Sequence, residues 1–161
     1  MGFISRLFGL SSDSICAPVS GKAVSLRKVG DPAFATGLVG KGIAIEPSHG
    51  RIAAPCNGIV DMMFETGHAV SLISDSGAEI LIHIGIDTVN LKGKHFTAHV
   101  KSGDKVKKGQ LLLEFDLEAI KKEGYDAVTP VVVCNSDIYR TFQTYSGSHV
   151  TVGDPIIKVS K

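Results

Sequence analysis

The chain has no tryptophan, three cysteines and few aromatic residues among its 161 positions. It also lacks a surplus of either charge, a long apolar run and any His-x-His pair. Each absence excludes something. Cys16, Cys56 and Cys134 are odd in number, widely spaced and form no Cys-x-x-Cys pair. Neither a disulfide framework nor a zinc ribbon follows, and free thiols fit a reducing compartment. A formal net charge of +1 argues against nucleic acid, whose phosphates want clustered lysine and arginine. Lys101, Lys105, Lys107 and Lys108 gather around a turn and read as a solvated face. No apolar run approaches the ~18 residues of a membrane-spanning helix. No basic start leads into a long apolar stretch and a small-residue cleavage site. The expectation is a cytoplasmic chain.

What is present reads as one all-β domain. The length suits a single domain with a real core. Residues 1–14 are expected to be a tail. Phe3, Ile4, Leu7 and Phe8 would line one side of a short helix within residues 1–10, loose or weakly held at a membrane surface. Ser11 to Ser14 would be a linker, and residues 15–161 the domain. From Ile15 onward Gly, Pro and Asp recur at the ~8–12-residue spacing of all-β chains. The good helix candidate is Asp116 to Lys122, with Asp116 as cap and Gly124 as stop. Gly40-Lys41-Gly42 reads as a strand turn, since no helix follows to make a phosphate loop.

Two motifs occur twice. Ala17-Pro18-Val19-Ser20-Gly21 recurs as Ala54-Pro55-Cys56-Asn57-Gly58. Gly103-Asp104-Lys105-Val106-Lys107-Lys108-Gly109 recurs as Gly147-Ser148-His149-Val150-Thr151-Val152-Gly153. Glycines at fixed offsets mark turns, and an apolar pair follows each. The prediction is an antiparallel β-sandwich or barrel with a pseudo-duplicated motif and one or two short helical turns.

The organising stretch runs from Thr66 to Thr88. With Ser76-Gly77 as a two-residue hairpin loop, Ile73 pairs with Ile80, Val70 with His83 and His68 with Gly85. Ala69, Ser71 and Ile73 then share the core face with Ile80, Ile82 and Ile84. His68, Val70, Leu72, Leu81, His83 and Gly85 take the other face. His68 and His83 become diagonal neighbours, with Cβ atoms about 7–8 Å apart or less. An odd loop or a bulge would break this alternation.

Phe64-Glu65-Thr66-Gly67-His68-Ala69, Ser74-Asp75-Ser76-Gly77 and above all Leu81-Ile82-His83-Ile84-Gly85-Ile86-Asp87-Thr88-Val89 with Leu91-Lys92-Gly93 resemble the glucose-type enzyme IIA of the bacterial phosphoenolpyruvate-dependent sugar phosphotransferase system. The similarity is densest from about Pro32 to Ser136. The resemblance implies a sandwich of duplicated hybrid topology, with the phosphoryl group on His83 Nε2 and His68 beside it. It implies a donor, the histidine phosphocarrier protein, and an acceptor, a cysteine on the IIB domain of a glucose-type permease. In that family the domain stands alone or is fused behind permease segments, and none of those segments is present here. Lys94-His95-Phe96 departs from a stretch that is commonly small and acidic, and Asn90 from a frequent acid.

The chemistry assigns further roles. A carbonyl at Gly85 can fix the tautomer of His83. Thr66 can orient His68, and His68 can donate to a phosphate whose charge spreads over its oxygens. Backbone N–H groups from Asp87 to Val89 could reach the remaining oxygens. Asp31, Glu79 and Asp87 would form an acidic edge for docking. Phe34, Leu38, Val39, Phe64, Leu72 and Leu81 would form an apolar patch. No cofactor is required, and zinc between His68 and His83 is possible but not expected. A monomer is expected, with regulatory protein targets left open. Two other classes stay in play: a zinc hydrolase on a related sandwich, which wants three protein ligands, and a lipoyl or biotinyl carrier, for which Lys22 is the nearest, poorly fitting lysine.

Overall fold

Short apolar runs broken by Gly, Pro and Asp become short strands, since neither length nor period supports long helices. A computed structural model of the chain describes residues 12–161. The reading of residues 1–10 as an amphipathic tail lies outside the described residues. Ser12, Asp13 and Ser14, read as linker, instead belong to the first strand, β1 (Ser12–Cys16). They pair with the last strand, β14 (Pro155–Ser160), so the sheet supplies their backbone partners.

An eight-stranded antiparallel sheet forms the body, in the order β13-β2-β3-β11-β7-β6-β5-β9. Its strands are β2 (Gly21–Ser25), β3 (Lys41–Pro47), β5 (Gly58–Met63), β6 (Ala69–Ser74), β7 (Glu79–His83), β9 (Lys105–Val106), β11 (Thr129–Val133) and β13 (His149–Val150). Two three-stranded sheets complete the sandwich. One is β1-β14-β12, with β12 at Thr141–Thr144. The other is β4-β10-β8, with β4 at Arg51–Ala53, β8 at Phe96–Ala98 and β10 at Leu111–Phe115. Among the described residues, the α-helices are two and short: α1 (Pro32–Ala35) and α2 (Leu117–Lys122). α2 is the expected one, with the Asp116 carboxylate accepting from the Ala119 N–H.

The repeated motifs are the two halves of this plan. Gly21 opens β2 and pairs with Val150 of β13; Gly58 opens β5 and pairs with Val106 of β9. The carbonyls of Ala17 and Ala54 accept from the N–H groups of Gly153 and Gly109. A Cβ at Gly21 would lie 2.0 Å from the Glu46 carbonyl oxygen, and one at Gly58 2.2 Å from that of Ile73. Both repeats need glycine because a neighbouring strand passes against the α-carbon.

The core between the sheets takes Ile43, Ile45, Leu72, Ile80, Ile82, Leu112, Leu113 and Ile156, all fully buried. A second, smaller cluster lies on the outer face of the first half. There Leu26, Val29 and Phe34, from the residues between β2 and β3, cover Val24, Ala44, Val128 and Val132.

The β6–β7 hairpin corrects the predicted register. Ile73 pairs with Glu79, Leu72 with Ile80, Val70 with Ile82 and Ala69 with His83. The loop is Asp75-Ser76-Gly77, with Gly77 left-handed at φ 96° and the Ser74 N–H bonded to the Ala78 carbonyl. An odd loop exchanges the faces of β6. Val70 and Leu72 point into the core, while Ser71 and Ile73 point out. Burial of an aliphatic side chain stabilises by about 1.5–3 kcal/mol, whereas a buried serine hydroxyl needs a partner. Leu72, fully buried, therefore cannot be part of an exposed patch.

Candidate functional site

His83 ends β7 and points away from the main core, together with Leu81. Its position follows from strict alternation with Ile80 and Ile82. His68 arrives by another route. It lies before β6, after Gly67 at φ 72°, and its carbonyl accepts from the Ile84 N–H at 2.7 Å. Regular alternation would send its side chain inward with Val70. The turn rotates it out instead, and the two rings meet edge to face with centroids 5.0 Å apart. The expected proximity is present, but it comes from a turn rather than from cross-strand pairing.

Each ring is held. The His83 Nδ1–H donates to the Gly85 carbonyl at 2.8 Å. A carbonyl can only accept, so the proton is on Nδ1 and the lone pair is on Nε2. The Thr66 hydroxyl is hydrogen-bonded to His68 Nδ1. Phe34 flanks His83 at 5.1 Å between centroids, and Phe64 flanks His68 at 5.4 Å. Burial lowers the His68 pKa to about 4, with His83 adding to the effect. Burial also lowers that of His83, opposed by the Gly85 carbonyl and by Asp31 and Asp87. Both imidazoles are neutral near pH 7, which leaves a free electron pair on His83.

The loop after His83 is tightly pinned. Gly85 has φ 76°, and a Cβ there would lie 2.6 Å from Thr88 Cγ2 and 2.9 Å from the Asp126 carbonyl oxygen. Only glycine fits. Its N–H donates to the Val128 carbonyl and the next N–H, of Ile86, to the Asp126 carbonyl, both at 3.0 Å. Nothing in the sequence pointed to Asp126 and Val128, which act through main-chain atoms far along the chain. Asp87, left-handed at φ 60°, opens the 3-10 turn Thr88–Leu91, and no side chain caps it.

The docking residues separate. Asp31 and Asp87 lie near enough to His83 to bias its proton affinity. Asp31 also caps α1, accepting from the Ala33 N–H at 2.9 Å. Glu79 is four residues from His83 on the same strand, about 13 Å away at 3.3 Å per residue. Of the apolar set, Leu38 is 82% exposed; Val39, Phe64 and Leu81 are half-buried. Phe34, at 4% exposure, is a core residue of the outer cluster, its ring tilted 54° against that of His83. That corrects its reading as an exposed patch residue, as burial does for Leu72.

Among the described residues, no group of three or more His, Cys, Asp or Glu side chains could hold a metal ion. Lys22 sits inside β2 opposite Glu46 and His149, not at a hairpin tip. His95 and His99 pair with Glu123 and Glu114.

With this geometry in hand, comparison with known proteins places the chain. Residues 13–139 match the family model described as phosphoenolpyruvate-dependent sugar phosphotransferase system, EIIA 1. A glucose-specific EIIA component from Oceanobacillus iheyensis is 41% identical over 141 residues, covering 88% of this chain and 86% of that protein. The solved glucose permease IIA from Mycoplasma capricolum superposes with a TM-score of 0.85 at 30% identity, covering 92% of this chain and 96% of that one. The chain belongs to the EIIA type 1 family of the sugar phosphotransferase system. It is also 46% identical to part of a β-glucoside-specific EIIBCA component from Dickeya chrysanthemi, covering 91% of this chain but 23% of that protein. It thus spans under a quarter of the length of such fused relatives. Among the described residues, no helix is long and apolar enough to cross a membrane.

Proposed function

We propose that this phosphoryl-carrier module accepts phosphate on His83 Nε2 from the histidine phosphocarrier protein and passes it to a cysteine on the IIB domain of a glucose-type sugar permease. One observation carries the reading. The Gly85 carbonyl holds the proton on Nδ1 of a neutral His83, which leaves Nε2 as a nucleophile beside a second, separately oriented imidazole.

In the first step the Nε2 lone pair attacks phosphorus. The donor's phosphorus–nitrogen bond breaks and its electron pair returns to the donor imidazole. In the second, an acceptor thiolate attacks and the His83–phosphorus bond breaks. The moving group spreads charge over its oxygens, so positioning and oriented donors do most of the work. If the Thr66 hydroxyl donates to His68 Nδ1, then His68 Nε2–H faces the phosphate as a donor. Asp31, Asp87 and exposed Leu38 would rim the docking face, a charged edge about an apolar point.

The test is incubation with phosphoenolpyruvate and the two general phosphotransferase proteins, followed by intact mass. The expected product is a single phosphate adduct, labile in acid and stable in alkali. His83→Ala should remove it while the fold persists. Label that survives this substitution would place the phosphoryl group elsewhere.

A further inference from the structure

Thr88 is fully buried and polar. Its hydroxyl donates to the carbonyl of Ile84, four residues earlier, and its methyl packs on the α-carbon of Gly85. The consequence is clearest in terms of peptide planes. The plane joining Ile84 to Gly85 is held on one side by the Thr88 hydroxyl and on the other by Gly85 N–H donating to Val128. The plane joining Gly85 to Ile86 is held on one side by Ile86 N–H donating to Asp126. Its other end is the carbonyl that accepts from His83 Nδ1. Gly85 is the hinge between the planes and the most freely rotating residue type. Apart from the His83 ring itself, Thr88 is the one side chain among these holds on the planes. The Ile84 N–H also bonds the His68 carbonyl, so the same segment ties the two histidines together.

We propose that Thr88 is a positioning residue for phosphoryl transfer: its buried hydroxyl fixes the Ile84–Gly85 plane, and through it aims the Gly85 carbonyl that keeps the proton on Nδ1 of His83. The inference rests on the reading of His83 as the phosphoryl acceptor. The chemistry needs such a device. A free histidine side chain prefers its proton on Nε2, the wrong nitrogen for an acceptor. Without an aimed carbonyl, the acceptor nitrogen would be protonated in much of the population.

The test is Thr88→Val, which keeps the shape and removes the donor, beside Thr88→Ser, which keeps the donor and removes the methyl. Nitrogen-15 NMR of the His83 ring reports the tautomer, and rapid-quench transfer from the phosphorylated donor reports the rate. Thr88→Val should move His83 toward the Nε2–H form and slow acceptance about ten-fold, the rate equivalent of one lost neutral hydrogen bond. Thr88→Ser should keep the wild-type tautomer and stay within about two-fold in rate. A wild-type tautomer and rate in Thr88→Val would overturn the proposal. So would a tautomer shift in Thr88→Ser, which would assign the effect to packing; if Thr88→Val does not fold, Thr88→Ala read against Thr88→Ser decides the matter, since the two differ in the hydroxyl alone. The tautomer measurement needs no transfer partner. If His83 proves not to be the phosphoryl acceptor, the intact-mass experiment fails while the link from Thr88 to the ring is still read separately.

Discussion

The two halves of the eight-stranded sheet are built alike and used differently. Matching Gly21 to Gly58 carries the pairing Gly42–Val132 of the first half onto Ala69–His83 of the second. Val132 and His83 therefore hold the same place on the outer face. In the first half, the residues between β2 and β3 fold back as a cover, and Leu26, Val29 and Phe34 bury Val132 completely. In the second half, a short turn joins β5 to β6, and its Phe64 and His68 flank the place without burying it. Its occupant is histidine. The cover even serves the open half, since the Phe34 ring also lies against His83. Strands give two equivalent positions; the length of a connection decides which one can do chemistry.

The comparison breaks most visibly at Phe34. Phe34→Ala should cost about 3–5 kcal/mol, as for a truncated core aromatic, by urea unfolding. Leu38→Ala, on the exposed tip of the same cover, should cost under about 0.5 kcal/mol. Equal costs would mean that the cover is not part of a core.

The open half is sharpened by His68→Gln. Accepting phosphate and donating it differ electrostatically, because an incoming thiolate is repelled by the phosphoryl group and the oriented donor offsets that repulsion. Donation to a IIB cysteine should fall by roughly 10²–10³-fold, the effect of one lost oriented donor, while labelling of His83 persists. Equal losses in the two half-reactions, by rapid quench, would leave His68 as a general positioning group.

A pH prediction follows from the same asymmetry, since Val132 and Lys41 hold in the covered half the places that His83 and His68 hold in the open one. The His68 pKa is lowered from 6.5 to about 4, and that of His83 is lowered as well. Below pH 6.5 the unfolded chain therefore binds more protons than the folded one. Stability is full above 6.5 and declines as pH falls toward 4. His68→Gln should flatten that decline in unfolding curves collected across the window. His49, lowered by burial and by Arg51, leaves a background in both proteins. An unchanged slope would show that His68 is not the group being protonated.

The smallest effect belongs to the rim. Asp87→Asn removes a charge beside His83, and asparagine tolerates the left-handed φ of 60°. Transfer from a basic donor should slow about three- to ten-fold at low salt, with a shallower salt dependence. An unchanged salt dependence would remove Asp87 from the docking edge.

The sequence by itself determined the all-β class, the duplication and the histidine pair. Those rest on local signals: turn residues at fixed offsets, β-branched runs, and a long motif around His83 whose own alternation along β7 is correct. It also located α2, where a cap and a stop lie within a few residues of each other. Tertiary structure decided the rest. The register of β6 turned on whether the hairpin loop was odd or even. One residue moved Leu72 from the surface to the core, and the local sequence allowed both. The burial of Phe34 needed β11, nearly a hundred residues away, to lie beneath it. The aim of the Gly85 carbonyl needed the backbone of Asp126 and Val128, whose side chains carry no sign of the task. Main-chain hydrogen bonds between distant segments leave no residue type behind to read, so only the folded arrangement could assign them.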